Sequence, residues 1–338
     1  MDKEKKLIEV INSCMPIAHS KGNRLFESDA EVIKFKNEPM LFTIDDFSEE
    51  DFFQDHDPYA LGWNCAVGAI SDIFASGGKP MLYAHSTVMA EHWNEEYVKK
   101  FSQGIAEVLR RCNTEFMGGD LGIGKTWRYT ASVIGSIERT PLLRSTALQG
   151  EAIYITGPIG TGNVEAVLKL YASALKDTRR ARAPHRFHLR IKEAELIRKY
   201  ASSCIDTSDG VFNALATLSE MSALGYILTH LPYSDAGVRI SEMLSLTKIL
   251  LFLAEAGEYE LLFTVSPHNE THLREEAMEQ GVSFIKIGET HDPYIKILYD
   301  EGNKIDLSAC TIRARDYPTA ELYLKDLIKW AEKLIGEY

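Results

Sequence analysis

Cysteine is scarce in this sequence, and its few copies are scattered. The five cysteines among 338 residues are Cys14, Cys65, Cys112, Cys204 and Cys310. They form no CxxC pair, and no histidine cluster stands at the spacing of a zinc site. We therefore interpret them as small hydrophobic residues rather than as metal ligands or nucleophiles.

Long apolar runs and positive charge are also lacking. No uninterrupted apolar stretch approaches the ~20 residues that a membrane-spanning helix needs, and the first six residues, MDKEKK, lack the apolar core of a signal peptide. These absences predict a cytoplasmic protein with no membrane partner. The 49 acidic and 37 basic residues give a net charge of −12, which disfavours nucleic acid as a partner. An acidic protein still binds ATP when metal ions bridge its carboxylates to the phosphates.

The chain does contain enough apolar material for two folded units. Its length exceeds the roughly 100–200 residues of an ordinary domain, and 45% of its residues are hydrophobic. Short strand-like runs alternate with helical periodicity throughout, which predicts a mixed α+β architecture. The polar, turn-rich stretch 141–151 is the predicted boundary. It divides the chain into an α+β unit at 1–145 and a second unit at 146–338.

Local patterns predict individual elements. Apolar runs at 32–33 and 40–44, separated by the turn sequence KNEP, predict a hairpin. Residues 59–75 predict a helix whose small residues allow another element to pack closely against it. Asn94 is a predicted N-cap for the next helix, and residues 241–256 predict one continuous helix.

One segment matches a phosphate-binding pattern letter for letter. Residues 119–126 (GDLGIGKT) fit the P-loop form GxxxxGK[ST]. In a P-loop a helix begins at the lysine and directs its N-terminal N–H groups at the phosphates. Here Thr126 is followed by WRYTASVI, whose β-branched and aromatic residues predict a strand instead. The segment is then either a glycine-rich turn between strands or, as we prefer, the carrier of a functional Asp120.

Several aspartates stand in strands or small-residue turns rather than on exposed helix faces. They are Asp29, Asp45, Asp72, Asp120, Asp206 and Asp209. Small neighbouring residues let a ligand and its metal approach the backbone closely. Magnesium takes oxygen ligands and commonly bridges one or two carboxylates to substrate phosphates. Any one of these residues is more simply a turn or cap aspartate, so the interpretation depends on their combination.

The order of the motifs resembles a known family. The motifs are SDIFASGGKP at 71–80, GGD at 118–120, APHR at 183–186, DTSDG at 206–210, LPYSD at 231–235 and EYELLF at 258–263. Together they resemble the aminoimidazole ribonucleotide (AIR) synthase-related, or PurM-like, superfamily, and within it the thiamine-monophosphate kinase family. The resemblance extends over most of the chain.

This resemblance implies a fold and an activity. The fold would be a two-domain, α+β, PurM-like homodimer, whose N-terminal domains pair into a β-barrel at the dimer interface and whose C-terminal domain is α/β. The activity would be an ATP- and Mg²⁺-dependent phosphotransferase acting on a small phosphorylated metabolite. ATP and several Mg²⁺ ions would lie in a cleft between the domains.

The resemblance also implies roles for individual residues. Magnesium would be bound by Asp29, Asp45, Asp72, Asp120 and Asp209. The nucleotide would be contacted by Thr43, Gly118, Gly119, Asp120 and Arg144. Catalysis at the acceptor phosphate would involve Asp206, Ser208 and Asp209. The acceptor itself would meet Phe52, Glu258 and Tyr259.

Three departures from the family pattern leave the substrate open. The family's GDDAA is ESDAE at 27–31, its GGEDYEL is EAGEYEL at 255–261, and Phe52 stands where a histidine is expected. One alternative is a related ATP-using enzyme with another substrate, such as an AIR synthase, a selenophosphate synthetase or a hydrogenase-maturation enzyme. Another is a non-catalytic nucleotide-binding paralogue, in which Ser28 and Gly257 mark lost catalysis.

Overall fold

Five strands from the first part of the chain form one sheet with the order β1-β2-β5-β3-β4. A computed structural model describes residues 3–36, 38–51, 57–170, 186–300 and 302–336. The five strands are β1 (Glu31–Phe35), β2 (Glu38–Ser48), β3 (Lys79–Ala90), β4 (Glu115–Gly124) and β5 (Arg128–Ser136). All neighbours are antiparallel except β3 and β4, which are parallel. The predicted hairpin is confirmed, with Val32 opposite Leu41.

Three helices accompany this sheet, namely α1 (Lys3–Cys14), α2 (Pro58–Ala75) and α3 (Glu95–Cys112). The Asp57 carboxylate caps α2, and the Asn94 side chain accepts a hydrogen bond from the Tyr97 N–H, as its predicted capping role requires. Helices α2 and α3 are in backbone contact at Gly62 of α2. A β-carbon at Gly62 would lie 2.0 Å from the Phe101 carbonyl oxygen, so only glycine permits this approach.

Seven strands from the second part of the chain form another sheet, with the order β12-β11-β8-β10-β6-β9-β7. They are β6 (Ala152–Ile155), β7 (Ser203–Asp206), β8 (Gly225–Leu228), β9 (Leu261–Val265), β10 (Ile285–His291), β11 (Lys296–Asp300) and β12 (Asn303–Asp306). The inner strands β6 and β9 and the edge strand β7 are buried along their whole length. The polar edge strand β12 buries only Ile305, so its sequence carries little strand signal.

Within the described ranges of the second part, seven α-helices accompany the second sheet. They are α4 (Thr161–Leu170), α5 (Ile191–Tyr200), α6 (Val211–Ser222), α7 (Asp235–Met243), α8 (Leu250–Leu253), α9 (Pro267–Gln280) and α10 (Ala320–Gly336). The continuous helix predicted at 241–256 is wrong. The Ser234 hydroxyl caps α7 well before that range, and Ser245 adopts a left-handed backbone with φ +54° that interrupts the helix. Only the single turn α8 follows.

The two sheets share a hydrophobic core, which confirms the mixed α+β class. One cluster of buried side chains joins Ile70 and Tyr129 of the first part to Ile197 and Phe263 of the second. The Trp63 indole N–H, on α2, donates a hydrogen bond of 2.8 Å to the carbonyl of Phe187. Across the described ranges, no helix is long and apolar enough to cross a membrane.

Candidate active site

Three aspartates from distant parts of the sequence converge between the two sheets. Asp29 lies two residues before β1, Asp72 lies near the end of α2, and Asp206 is the last residue of β7. Each offers a carboxylate oxygen, and the three atoms lie within 4.8 Å of one another. Oxygen ligands of one Mg²⁺ lie about 2.1 Å from the ion, hence at most ~4.2 Å apart. Small side-chain rotations would therefore let this group, the acidic cluster, hold one ion.

The first member of the acidic cluster is held by an arginine. Arg144 donates two hydrogen bonds to the Asp29 carboxylate, from Nη2 to Oδ1 at 2.5 Å and from Nε to Oδ2 at 3.2 Å. The Asp29 side chain is 2% exposed and that of Arg144 is 19% exposed. A buried, bidentate pair of this kind fixes the orientation of the carboxylate.

Hydroxyl groups hold the other two members. The Thr43 hydroxyl donates to Oδ2 of Asp72 at 2.5 Å, and the Ser71 hydroxyl donates to Oδ2 of Asp206 at 2.5 Å. Oδ1 of Asp206 accepts a further hydrogen bond of 2.9 Å from the Ser208 hydroxyl. Thr43 thus contacts a carboxylate of the acidic cluster. Ser71 was not predicted as a site residue, although it stands beside Asp72 in the 71–80 motif.

Among the described residues, one guanidinium faces the three carboxylates of the acidic cluster. When all three carboxylates are ionised, they and Arg144 leave a net charge of −2, which ionisation alone does not stabilise. Burial, followed by the charge of Asp29, raises the pKa of Asp206 to about 6. Burial, followed by the charges of Asp206 and Asp45, also raises the pKa of Asp72 well above its ordinary value. A divalent cation that prefers oxygen ligands fits this site, and Mg²⁺ meets both conditions.

An open cleft of about 210 Å³ lies beside the acidic cluster. Most of its charged groups are acidic. Its polar lining comprises Asp45, Asp46, Asp51, Ser208, Asp209, Glu255, Tyr259 and Arg315. Burial, followed by the charges of Asp206, Asp51 and Asp209, raises the pKa of Asp45 to about 7. The acidic cleft and the acidic cluster therefore form one electrostatic unit.

Arg315 is the basic member of the acidic cleft. Its guanidinium donates to Oδ1 of Asp209 at 3.3 Å and also pairs with Glu4 of α1. No motif of the sequence marked this arginine, which lies in a single 3-10 turn, Ala314–Asp316, between β12 and α10. Asp51 and Glu255 were likewise not predicted to line the site. Asp51 belongs to a polar loop, and Glu255 was noted only as a departure from a family glycine.

The GGD motif lies elsewhere, on the edge strand of the first sheet. Residues 115–124 form β4, so the interpretation of this segment as a turn is wrong. The P-loop interpretation is excluded, since Thr126 leads into β5 rather than a helix.

Asp120 is exposed and does not belong to the acidic cluster of this chain. A β-carbon at Gly119 would lie 2.3 Å from the His85 carbonyl oxygen, so β3 and β4 require glycine there. Gly118 has φ +119°.

The three residues predicted to meet the acceptor have different surroundings. Glu258 is buried at the N-terminus of α4, where it accepts a hydrogen bond from the Gly160 N–H, and burial raises its pKa to about 8. The Tyr259 ring packs against Phe187 at 4.8 Å between ring centroids and also lines the acidic cleft. Phe52 lies outside the described residues.

Known proteins were compared with the chain at the level of sequence and fold. The family model "AIR synthase related protein, N-terminal domain" matches residues 27–137. A thiamine-monophosphate kinase of Buchnera aphidicola subsp. Acyrthosiphon pisum is 30% identical over 77% of this chain and 82% of the relative. The same-named protein of Pyrococcus abyssi is 28% identical over 85% and 88%.

Solved structures share the fold. The structure "AaThiL complexed with AMPPCP and TMP" has a TM-score of 0.72 at 23% identity, over 89% of this chain and 94% of the other. A "HypE-HypF complex" structure has a TM-score of 0.71 at 19% identity, over 89% and 99%. The family model matches residues 27–137, and the 30% identical relative covers 77% of this chain and 82% of its own length, so the chain belongs to the AIR synthase-related family, alongside the thiamine-monophosphate kinases.

Proposed function

We propose that this protein is an ATP- and Mg²⁺-dependent thiamine-monophosphate kinase. In this reaction an oxygen of the acceptor phosphate forms a bond to the γ-phosphorus of ATP, the bond from that phosphorus to the β,γ-bridging oxygen breaks, and ADP leaves. The product is thiamine diphosphate. The observation that carries the proposal is the acidic cluster, which lies beside the acidic cleft in a member of this family. With its carboxylates ionised, the cluster has an uncompensated charge of −2. The curated relatives carry this name, and one fold neighbour holds AMPPCP and TMP.

The chain supplies positioning and charge rather than a nucleophile. Phosphoryl transfer requires mainly alignment and neutralisation of the phosphate oxygens, which bound Mg²⁺ supplies. Asp29, Asp72 and Asp206 would hold the ion, with Asp45 and Asp209 next to them across the acidic cleft. Arg144 and the hydroxyls of Thr43 and Ser71 fix the orientations of these carboxylates before ligands arrive. In this proposal Arg144 acts through Asp29, whereas the family resemblance places it on the phosphates.

The acceptor phosphate would lie near Ser208 and Arg315. Both residues line the acidic cleft, and the Arg315 guanidinium is the cation in its lining. A guanidinium binds phosphate oxygens through parallel hydrogen bonds, which would offset the repulsion from neighbouring carboxylates. Asp209, which pairs with Arg315, then orients that guanidinium.

Two departures from the family pattern have structural reasons in this chain. A β-carbon at Gly257 would lie 1.6 Å from the Thr207 carbonyl oxygen, so glycine lets segments 255–259 and 206–210 meet. The Gly257 N–H donates to the Ser208 carbonyl at 3.1 Å across this contact. Ser28 packs against Ser76 with 3.0 Å between their hydroxyl oxygens. These changes therefore support an intact site rather than a degenerate, non-catalytic one.

Glu255 favours a second candidate within the same family. It places a carboxylate in the acidic cleft where the family pattern has glycine. A positively charged acceptor would account for this carboxylate, and the cationic thiazolium of thiamine monophosphate is one such group, but the glutamate at a family glycine position also suits another cationic phosphorylated acceptor. The second candidate is thus a related ATP-using enzyme with a different phosphorylated substrate.

The proposal includes a homodimer. Strand β4 is a sheet edge ten residues long, and it exposes Phe116, Met117, Leu121 and Ile123. Long exposed apolar edge strands pair with another chain unless they are covered. Two such edges would bring the N-terminal domains, residues 1–145, together in a β-barrel, with residues 146–338 as the flanking C-terminal domains. Asp120 would then lie near the dimer interface.

The direct test is product formation. Purified protein is incubated with ATP, MgCl₂ and thiamine monophosphate, and thiamine diphosphate is measured by chromatography after conversion to its fluorescent derivative. We expect product with Mg²⁺, none with excess chelator, and a loss of at least a hundredfold for Asp72→Asn. Consumption of ATP without thiamine diphosphate would favour the second candidate. Absence of both, in protein that binds a nucleotide analogue, would favour the non-catalytic alternative.

A further inference from the structure

Helix α1 contacts a residue of the acidic cleft, yet it buries none of its own residues. Its apolar side chains Leu7, Val10 and Ile11 are 55–60% exposed. A helix in a folded protein is ordinarily stabilised by an apolar face that packs against the core. Apolar packing therefore contributes little to holding α1 in place.

Charged groups in the first turn of α1 attach it to the second part of the chain. The Glu4 carboxylate pairs with Nη1 of Arg315, and the Lys5 ammonium donates to Oε2 of Glu220, on α6, at 2.5 Å. The Lys5 and Glu220 side chains are 26% and 64% exposed. Exposed ion pairs contribute little to stability and are screened by salt. The attachment of α1 is therefore weak and reversible.

Arg315 is shared between α1 and the acidic cleft. Its Nη1 pairs with Glu4, and its Nη2 donates to Oδ1 of Asp209 at 3.3 Å, so two carboxylates face one guanidinium. A phosphate that binds this guanidinium would add a third anionic group at the same place. Like charges at such distances repel one another. Binding of the phosphate therefore favours the withdrawal of one carboxylate.

Glu4 is the carboxylate that can withdraw. Asp209 belongs to the turn 206–210, in which the Thr207 N–H donates to the Glu260 carbonyl at 2.9 Å, directly before β9. This contact ties the turn to the second sheet. Glu4, in contrast, belongs to a helix without a buried residue. Its withdrawal requires only that α1 detach.

We propose that α1 is a latch on the acidic cleft, in which Glu4 competes with the acceptor phosphate for Arg315 and α1 detaches when the phosphate binds. The inference rests on the proposed function, since it requires a phosphate at Arg315. Return of Glu4 to Arg315 would then help to displace the product. Because an isolated helix of 12 residues is marginal in water, detached α1 should lose its helical hydrogen bonds.

Hydrogen–deuterium exchange at the α1 amides measures detachment directly. The protein in MgCl₂ is compared with and without saturating thiamine monophosphate. We expect the ligand to increase exchange in α1 at least threefold and to decrease it in the turn 206–210. Glu4→Gln should show the faster α1 exchange without ligand, whereas Glu9→Gln, at an exposed position of the same helix, should behave as wild type. Unchanged or slower exchange of α1 on ligand binding would overturn the latch.

Affinity distinguishes competition by Glu4 from a role in orienting Arg315. If Glu4 competes, Glu4→Gln should bind thiamine monophosphate about three- to tenfold more tightly in calorimetric titration, and Glu9→Gln should equal wild type. Unphosphorylated thiamine should bind equally to all three proteins, because it has no phosphate. Equal or weaker binding of thiamine monophosphate to Glu4→Gln would overturn the competition.

Lys5→Ala tests whether the helix moves as a whole. This change removes the pair with Glu220 and leaves Glu4 and Arg315 in place. Since any loss of attachment favours the detached state, thiamine monophosphate should bind about two- to threefold more tightly. Lys6→Ala, which replaces an exposed lysine of the same turn, is the matched control and should bind as wild type does. Tighter binding in Glu4→Gln without any change in Lys5→Ala would overturn detachment of the helix.

The latch and the kinase assignment fail differently. Inorganic phosphate with MgCl₂ should increase α1 exchange in wild type but not in Arg315→Gln, where exchange should already be fast. This result, in a protein that forms no thiamine diphosphate, supports the latch and overturns the kinase assignment. Formation of thiamine diphosphate with α1 exchange unaffected by thiamine monophosphate or phosphate supports the kinase and overturns the latch. Absence of both product and response overturns both.

Discussion

Arg144 and Asp29 form a bidentate ion pair, with Nη2 and Nε of the arginine 2.5 and 3.2 Å from the two carboxylate oxygens. Their side chains are separated by 115 positions in the sequence. Both side chains are largely shielded from water. The pair joins the segment that precedes β1 to the segment that connects β5 to β6. It also places one permanent positive charge inside the acidic cluster.

Removal of the arginine should therefore destabilise the protein more than removal of the pair. Arg144→Met leaves Asp29 buried without its counterion, and loss of one partner of a buried pair costs about 3–5 kcal/mol. The double variant Asp29→Asn/Arg144→Met should be more stable than Arg144→Met alone. Urea unfolding of the four members of this cycle gives the coupling free energy, and additive effects of the two changes would contradict an interaction.

The stability of the metal-free protein should fall between pH 4 and pH 7. In the folded state the pKa of Asp45 is raised to about 7 and that of Asp206 to about 6. At any pH between the ordinary aspartate pKa and these raised values, the folded state therefore binds more protons than the unfolded state. The free energy of unfolding therefore decreases as pH rises through this window, then levels off. Thermal unfolding at low ionic strength measures this.

Added Mg²⁺ should reverse the fall in stability with rising pH. At pH 7.5 the carboxylates are ionised and the ion should raise the melting temperature, whereas at pH 5 protons compete and the gain should be small. Asp45→Asn should flatten the profile of the metal-free protein. A Mg²⁺ effect equal at both pH values would argue against binding at these aspartates.

Asp120→Asn should weaken Mg·AMPPCP binding without loss of stability. Asp120 is exposed on β4, so its replacement should change the free energy of unfolding by less than about 0.5 kcal/mol. Lys125→Ala is the matched control, since a P-loop lysine would be indispensable and this segment is not a P-loop. Unchanged nucleotide affinity in Asp120→Asn would remove the residue from the nucleotide site.

The family glutamate should not be tolerated at position 257. Any side chain there collides with the Thr207 backbone, so Gly257→Glu should destabilise the protein by roughly 1–3 kcal/mol or more. Gly122→Ala is the control, because its β-carbon would meet only an ordinary contact of 3.7 Å. A melting temperature of Gly257→Glu equal to that of wild type would show that the two segments separate readily.

The proposed dimer can be tested at the edge strand. Leu121→Asp puts a charge on the exposed apolar face of β4 and should shift the mass measured by light scattering from two chains to one. Met278→Asp, at an exposed position on α9, should leave the mass unchanged. A monomeric wild type would contradict the dimer directly.

Local sequence signals predicted the elements that carry the site better than they predicted the site itself. The hairpin at 32–44, the helix at 59–75 and the cap at Asn94 follow from short-range patterns, and the structure has all three. The break at Ser245 depends on a left-handed backbone at a residue type that does not demand it. Likewise, the glycines of β4 left a turn open as an alternative for this segment, although Gly119 is there because packing against β3 excludes a β-carbon.

The site required information that spacing does not contain. The order of motifs indicated which aspartates matter, but not that Asp206 would meet Asp29 and Asp72 while Asp120 would not. Arg144 was predicted to contact phosphate, and the sequence did not indicate that it would also bind Asp29. Arg315 had no signal at all, since a single 3-10 turn of three residues has no periodicity or motif to mark it.

The hydrogen bond from Trp63 to the Phe187 carbonyl makes the protein optically informative. The Phe187 ring packs on Tyr259, and Tyr259 lines the acidic cleft. Any ligand that moves Tyr259 changes the polarity and hydrogen bonding around the Trp63 indole. With the other three tryptophans, of which Trp127 is also buried, replaced by phenylalanine, the emission of Trp63 is a label-free signal of cleft occupancy, readable in a fluorimeter before any product is formed.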